Sequence, residues 1–366
     1  LRSLLLCAIA MALNTTIGPA LAIDSARHVS PPQTQASAER RSLPRFEFTQ
    51  PHMGTSARIV LHAPDADTAR RAADAGFDRI RQLDAALSDY RDDSELNRLA
   101  AHAGRGPIPI GDDLFAVLQA AQALARRSGG AFDVTRGAVT RLWRQARKLD
   151  EAPDPARLEA ASAAGNWRDL RLDPDARTAT LTRPGLRLDL GGIAKGYAAE
   201  QALRAVQDAG APSALVALGG DIAVGASPPD ANGWRVDVAA LDVPGAPSGP
   251  SLLLHDAAVS TAGDAEQWMD VGGVRYSHVL DARSGRPLDF RSTTTVIARR
   301  GLQADGLDTA ASVLGAEAGL RLVDAVPGAA MLMVRQTADG HVQRTASANW
   351  PAPDSSAASA ALETSP

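Results

Sequence analysis

Two periods of apolar residues alternate along this chain, and they meet most sharply between Leu186 and Tyr197. Leu186, Leu188 and Leu190 alternate with Arg187 and Asp189, the period of a strand with one buried face. Gly191 and Gly192 interrupt it. From Ile193 onward, Ala194, Tyr197, Ala198, Ala202, Ala205, Val206 and Ala209 recur at helical spacing, and Gly210 suits the stop. The expected unit is strand, glycine turn, helix. Paired glycines let a ligand approach the backbone, and a helix start offers unpaired N–H groups to an anion. The same pattern also serves as a plain packing turn. Its spacing is neither that of the P-loop nor that of the dinucleotide fingerprint.

The same two periods predict the other elements. Phe46 and Phe48 alternate ahead of Met53-Gly54-Thr55, and residues 57–61 read as a strand. Met53 is either plain core or, if Gly54 marks a close backbone approach, the edge of a pocket. Ala69, Ala72, Ala73, Phe77, Ile80, Leu83 and Leu87 share one face of a helix over 67–87. The polar loop 88–94 carries one aromatic, Tyr90, read as a half-buried anchor or a ligand contact. Ser94 is positioned to cap a short helix through Leu99, with Asn97 and Arg98 exposed. Helices follow over 112–127, around Val139, Leu142 and Trp143, and weakly over 153–164. A three-strand meander is expected at 170–172, 178–181 and 186–190. Further strands fall at 214–218, 234–238, 294–297 and 330–334, with a Pro/Gly loop at 242–251 and a helix opening at Asp305. Strands outnumber a strict strand–helix alternation, so the expected class is α+β rather than a doubly wound sheet.

Length and charge narrow this picture. A chain of 366 residues can bury a core of one or two domains, and nothing in it partitions residues 45–350, which are taken as one unit. A net charge of -4 with both signs interspersed argues against a general nucleic-acid binder. Arg2 precedes an apolar run over 4–13, too short to span a bilayer, and Ala20-Leu21-Ala22 is a small-x-small cleavage signal. Residues 1–22 therefore read as a secretory signal peptide and imply a periplasmic protein. Residues 23–44 form a flexible leader, and 351–366 a disordered tail. Cys7 is the only cysteine and lies in the apolar run, so cleavage after Ala22 leaves no disulfide or thiol chemistry. No transmembrane anchor is expected.

Three places could carry chemistry. Asp305 and Thr309 stand four apart at a helix start, so their oxygens share a face. Such hard oxygen ligands suit Mg²⁺ or Ca²⁺, although an Asp cap with Thr bonded back to the helix explains the pair as well. His278, in Tyr276-Ser-His-Val-Leu-Asp281, is a general-base candidate or a surface histidine. Lys195 either offsets phosphate charge or is solvated. Asp133 and Thr135 form a possible local cap. There is no zinc cluster and no Gly-x-Ser-x-Gly elbow.

Taken together these segments resemble the ApbE family of FAD:protein FMN transferases. The resemblance runs through Met53-Gly-Thr, Ser88-x-Tyr90-x-x-x-Ser94, Gly130-Ala-Phe-Asp-Val-Thr135, Asp189-Leu-Gly-Gly-Ile-Ala-Lys-Gly-Tyr197, Leu218-Gly-Gly-Asp-Ile222, Thr261-Ala-Gly-Asp264, Ser277-His-Val-Leu-Asp281 and Ala304-Asp-Gly-Leu-Asp-Thr309. It implies a T-fold-like α+β architecture and an Mg²⁺-dependent reaction outside the cytoplasm. In that reaction the pyrophosphate of FAD is cut, FMN becomes a phosphoester on a Thr or Ser of an acceptor protein, and AMP leaves. Family acceptors are flavin-carrying subunits of membrane redox complexes. Met53, Tyr90, Ala131, Phe132, Asp133, Gly191, Tyr197 and Leu280, with Val279, fall where the family lines its FAD site. Metal ligation maps to the backbone oxygen of Ala194 and the side chains of Asp305 and Thr309. His278 matches the histidine that takes the acceptor's proton. Val134, Glu200, Ala262, Ala282 and Ser284 depart from the commonest family residues, and Ala262 removes one possible polar contact. Two other functions fit the same residues: an Mg²⁺-dependent FAD pyrophosphatase with water as acceptor, and an FAD carrier without turnover. Intact Asp305, Thr309 and His278 favour turnover over the carrier.

Overall fold

A computed structural model describes residues 43–243, 246, 249–263, 268–337 and 339–354. The expected signal peptide, nearly all of the leader, Asp264 and most of the tail lie outside the described residues. In chain order the helices are α1 (Ala66–Leu87), α2 (Glu95–Ala101), α3 (Asp112–Arg127), α4 (Gly137–Leu149), α5 (Pro155–Ala163), α6 (Ala194–Asp208), α7 (Gly301–Leu314) and α8 (Ala316–Asp324). The first strands are β1 (Arg45–His52), β2 (Thr55–His62), β3 (Ile108–Pro109), β4 (Leu170–Asp173), β5 (Thr178–Leu181), β6 (Ala214–Leu218), β7 (Asp221–Val224), β8 (Trp234–Asp237) and β9 (Ser251–Leu254). They are followed by β10 (Ala257–Gly263), β11 (Trp268–Val271), β12 (Val274–Ser277), β13 (Leu280–Asp281), β14 (Arg286–Pro287), β15 (Ser292–Ala298), β16 (Ala330–Gln336) and β17 (Val342–Ala346).

Eight strands make the main sheet, in the order β1-β2-β6-β7-β10-β15-β16-β17, every neighbouring pair antiparallel. Alternation splits its side chains between two cores. Ala57, Ile59 and Leu61 of β2, with Ala214, Val216 and Leu218 of β6, face the helices. Val60, Leu215 and Ala217 face the other way, against Trp234, Val236, Leu252 and Leu254 of the β8–β9 hairpin. This is the α+β class expected from the strand count. The apolar face of α1 packs as its spacing predicts, with Phe77, Ile80, Leu83 and Leu87 buried. Ser94 caps α2 through the Asn97 N–H at 3.0 Å.

Three expectations need correction. Leu186, Leu188 and Leu190 are buried, yet their segment is not the third strand of a meander. That place beside β5 is taken by β3. The backbone of 187–189 bonds to the start of α4 instead: the Asp189 N–H donates to the Val134 carbonyl at 2.8 Å, and the Gly137 N–H to the Arg187 carbonyl at 3.2 Å. Period two reported which side is buried, not which chain is the partner. Secondly, the helix bearing Asp305 starts at Gly301, not at Asp305. Its first turn has no side-chain cap from a sequence neighbour; Glu200 of α6 reaches across to the Leu302 N–H at 3.5 Å and to Arg300 Nε at 3.0 Å. Thirdly, Ser251, expected as the end of the 242–251 loop, already opens β9, whose short SLLL run pairs with β8.

The crossing of α6 and α7 is a direct contact of two backbones. A Cβ built on Gly196 lies 2.3 Å from the Gly301 carbonyl oxygen and 2.6 Å from Asp305 Cβ, and one built on Gly301 lies 2.0 Å from the Gly196 carbonyl oxygen. Only glycine at both positions allows the backbones to touch. Among the described residues, no helix is long and apolar enough to cross a membrane. Gly196→Ala is expected to destabilise the protein by about 2–3 kcal/mol through overpacking. A urea unfolding midpoint equal to that of the parent chain would contradict the crossing.

Candidate active site

The helix crossing brings the proposed metal ligands together. Ala194 opens α6 directly after the glycine pair. On one side of it, the Gly196 N–H donates to Asp305 Oδ2 at 2.8 Å. On the other, a Cβ built on Gly192 lies 3.0 Å from Thr309 Oγ1 and 3.4 Å from Phe132 Cε2. Asp305 and Thr309 of α7 thus bracket Ala194, with Phe132 packed beside them. Asp305 sits in the second turn of its helix and does not cap it. Among the described residues, no group of three His, Cys, Asp or Glu is arranged to hold a metal. A cation here would rely on a carbonyl and a hydroxyl beside one carboxylate, the hard-oxygen set that Mg²⁺ accepts. The residues present fit such an ion.

Beneath this bracket lies a buried polar network that the sequence reading missed. Lys195 Nζ donates to Asp221 Oδ2, so this half-buried side chain is paired within the protein and is not simply a solvated lysine. Ser260 Oγ lies 2.6 Å from both Asp221 Oδ1 and Asp308 Oδ2. One hydroxyl carries one proton, so the second contact needs a proton from a carboxyl. Asp308 supplies it: burial, followed by the charges of Asp305 and Asp221, holds its carboxyl well above the usual carboxylate range. Its Oδ1 is buried without a partner, which a neutral carboxyl tolerates far better than a carboxylate. Burial and the charge of Asp221 push Asp305 up to about 7, against the pull of Lys195 and of the Gly196 and Lys195 N–H groups. Burial alone would lower Lys195, but Asp221 and Asp305 overcome it and hold it protonated. The available signal was the i, i+3 spacing of Asp305 and Asp308, which sets two carboxylates on one buried face.

The expected flavin contacts divide. Met53 (φ 47°) and Gly54 (φ 72°) are the two central residues of the β1–β2 hairpin, between paired His52 and Thr55. Both lie in the left-handed region, as a two-residue type I′ turn requires, and such a conformation is costly for methionine. A Cβ on Gly54 would meet nothing within 4 Å, so its role is the turn and not a close approach. Tyr90 is 76% exposed and not a half-buried anchor. Asn97 is not simply exposed: its Nδ2 donates to the Asp89 and Arg91 carbonyls at 3.1 and 2.9 Å, tying down the Tyr90 loop. Gly191 is exposed at the turn before α6. Ala131 packs with Val279, Ala262 and Val313, the last one turn beyond Thr309 on α7. That cluster anchors the segment bearing exposed His278, between β12 and β13, beside the helix of Asp305. Leu280 joins the cluster around Trp143.

Two expected contacts are internal. The Asp133 carboxylate accepts the Thr135 N–H at 2.9 Å, the Thr135 hydroxyl at 2.7 Å and the Trp167 N–H at 3.0 Å. It forms the local cap, and only its backbone is left for a ligand. The Tyr197 hydroxyl donates to Asp113 Oδ1 at 2.7 Å, and Asp113 also pairs with Arg79, so this buried ring ties α6 to α3 and α1. Burial, then Asp113, raises the Tyr197 phenol far above its ordinary value.

A model of the ApbE family matches residues 53–333. The chain belongs to the ApbE family. The FAD:protein FMN transferase of Treponema pallidum (strain Nichols) is 33% identical to it over 300 residues, covering 77% of this chain and 82% of that protein. The FAD:protein FMN transferase of Vibrio cholerae serotype O1 is 30% identical over 314 residues, covering 84% and 92%. Among solved structures, the flavin transferase ApbE from Vibrio cholerae superposes with a TM-score of 0.73 at 28% identity, covering 84% of this chain and 98% of that one. The ApbE protein from Thermotoga maritima does so with a TM-score of 0.73 at 27% identity, covering 82% and 97%. The architecture is therefore the ApbE fold.

The buried acids make the stability of this chain pH-dependent with a definite sign. Folded Asp305 and Asp308 keep protons that the unfolded chain gives up near pH 4. Raised native values mean that the folded state binds more protons, so stability falls as pH rises from about 4 to about 7. In metal-free protein the urea midpoint is expected to drop between pH 5 and pH 8, and to drop less in Asp308→Asn. An identical pH slope in that variant would place the proton elsewhere.

Proposed function

We propose that this chain transfers FMN from FAD to a Thr or Ser hydroxyl of an acceptor protein, with Mg²⁺ held by the Ala194 carbonyl, Asp305 and Thr309. The observation that carries this reading is the bracket of Asp305 and Thr309 around Ala194. The names of the relatives and of the structural neighbours support it. When bound, Mg²⁺ supplies charge neutralisation at the pyrophosphate. The first-turn N–H groups of α6 are taken within the protein, the Gly196 N–H by Asp305 Oδ2 and the Ala194 N–H by the Leu190 carbonyl, so they hold the carboxylate in place and do not bind the anion themselves. Lys195 stays on Asp221, so its positive charge reaches the site through the buried network and not by direct contact. Phe132 and Ala131 exclude water from the wall beside Thr309.

In this reading the acceptor hydroxyl oxygen attacks the phosphorus of the FMN half, and its proton passes to the neutral imidazole of His278. A phosphorus–oxygen ester bond forms, the bond to the bridging oxygen breaks, and AMP leaves with that oxygen. The Ala131–Val279–Val313 cluster holds the His278 segment against α7, which supports its role as base. The acceptors are flavin-carrying subunits of membrane redox complexes, and the apolar run with its cleavage signal supports a periplasmic site of action.

Incubation with FAD, Mg²⁺ and a candidate acceptor, read by mass spectrometry, tests the proposal. Addition of an FMN mass with release of AMP is expected. Free FMN and AMP beside an unmodified acceptor would identify a pyrophosphatase, and unchanged FAD a carrier. Asp305→Ala is expected to lower Mg²⁺-dependent turnover by roughly a thousandfold, the several kcal/mol a cation contributes. His278→Ala is expected to keep FAD binding and lose transfer. Full activity in both variants would overturn the assigned roles.

A further inference from the structure

Arg144, on α4, takes no part in the chemistry above, yet its guanidinium meets two separate parts of the proposed flavin site. Nη1 donates to Asp89 Oδ2, and Nη2 donates to Asp189 Oδ2 at 3.1 Å. Its Cζ stands 4.3 Å from the centroid of the Tyr90 ring. Asp189 in turn accepts the Gly191 N–H on its other oxygen at 2.8 Å. One planar cation thus ties the Tyr90 loop to the glycine turn that launches α6. Both carboxylates are largely buried, with side chains 11% and 13% exposed, so the fork is held in one orientation.

The Tyr90 ring, by contrast, is 76% exposed. An aromatic ring standing in solvent loses the burial that normally holds it. Here one face rests on a cation while most of the side chain stays open. The path of the loop does not need this contact: Asn97 already holds the Asp89 and Arg91 carbonyls, and Ser94 caps the next helix. What Arg144 adds is the orientation of the ring. A flat ring backed by a guanidinium, with its outer side free, is a stacking surface for another flat conjugated ring.

We infer that Arg144 is a positioning residue that holds Tyr90 as the stacking surface for a planar ring of FAD, and keeps that surface in register with Gly191. The inference rests on the reading that Tyr90 lines the flavin site. Both rings of FAD, isoalloxazine and adenine, have the required chemistry, and FMN titrated directly and AMP titrated as a competitor of FAD distinguish them.

The test is equilibrium titration of the full chain with FAD, followed by quenching of flavin fluorescence, with a thermal melt of each variant. Arg144→Lys keeps a cation facing both carboxylates but lacks the planar fork. It is expected to weaken FAD roughly three- to tenfold, the range of a partly desolvated cation–π contact, at an unchanged melting temperature. Added to Tyr90→Ala it is expected to weaken binding no further, and its loss is expected with only one of FMN and AMP. Should Arg144→Lys melt early, Arg144→Gln with Asp89→Asn removes one charge of each sign, leaves the net charge of the cluster unchanged, and is expected to show the same loss. Wild-type affinity and quenching in the Arg144 variants, with Tyr90→Ala weakened, would overturn the inference alone. Losses that multiply in the double variant would do the same. Wild-type FAD binding by Tyr90→Ala would overturn the flavin-site reading at that ring, and the inference with it.

Discussion

The contact of two glycine backbones, Gly196 on one helix and Gly301 on another, is the constraint on which the site depends. With no Cβ on either side, the start of α6 lies against α7 closely enough for Asp305 to accept the Gly196 N–H. The next turn of α7 then sets the Thr309 hydroxyl against Gly192. A methyl group at the crossing would separate a carboxylate, a hydroxyl and a helix-start carbonyl that have no other reason to meet. The local sequence is consistent with this arrangement at each end. The glycine pair frees the chain to turn into α6, and Glu200 of α6 reaches back to the uncapped start of α7.

Close approach of this kind concentrates charge where water cannot screen it. Asp221, Asp305 and Asp308 are buried within one small region, and Lys195 is the cation bonded to it. Three ionised carboxylates against one ammonium would be prohibitive in such a medium. The fold resolves the imbalance by keeping Asp308 protonated, linked through Ser260 to Asp221, the partner of Lys195. Asp305 is left to lose its proton near pH 7. The network is thus an electrostatic foundation for the oxygen bracket and not a second centre.

The rim is organised by different means. Exposed Tyr90, strained Met53 and the Gly191 turn all lie at ends of elements, where chain direction is set by hydrogen bonds more than by burial. Asn97, Asp189 and Arg144 supply those bonds. The two expected contacts that proved internal, Asp133 and Tyr197, show how a polar group can belong to a family motif and still serve the scaffold. Each has a partner within the protein before any ligand arrives: Asp133 accepts from Thr135 and Trp167, and Tyr197 gives its proton to Asp113.

Periodicity and end signals made most elements legible without coordinates. The helix of Phe77 and Ile80, the Ser94 cap and the strand of Val216 follow from spacing and capping chemistry, which act over a few residues. The motifs from Met53 to Thr309 were equally legible as a family resemblance. The partner of Leu186–Leu190, the true start of the Asp305 helix, the Lys195–Asp221 pair and the hold of Arg144 on Tyr90 were not. Each depends on a group far along the chain, and a linear reading ranks near neighbours but has no measure of distant ones. By itself the sequence determined the elements, the class and the family, because those follow from local physics. The packing of the helices against the sheet decided which oxygens meet at the helix crossing and which carboxyl keeps its proton, because desolvation and Coulomb energy depend on distances that exist only once the chain is folded.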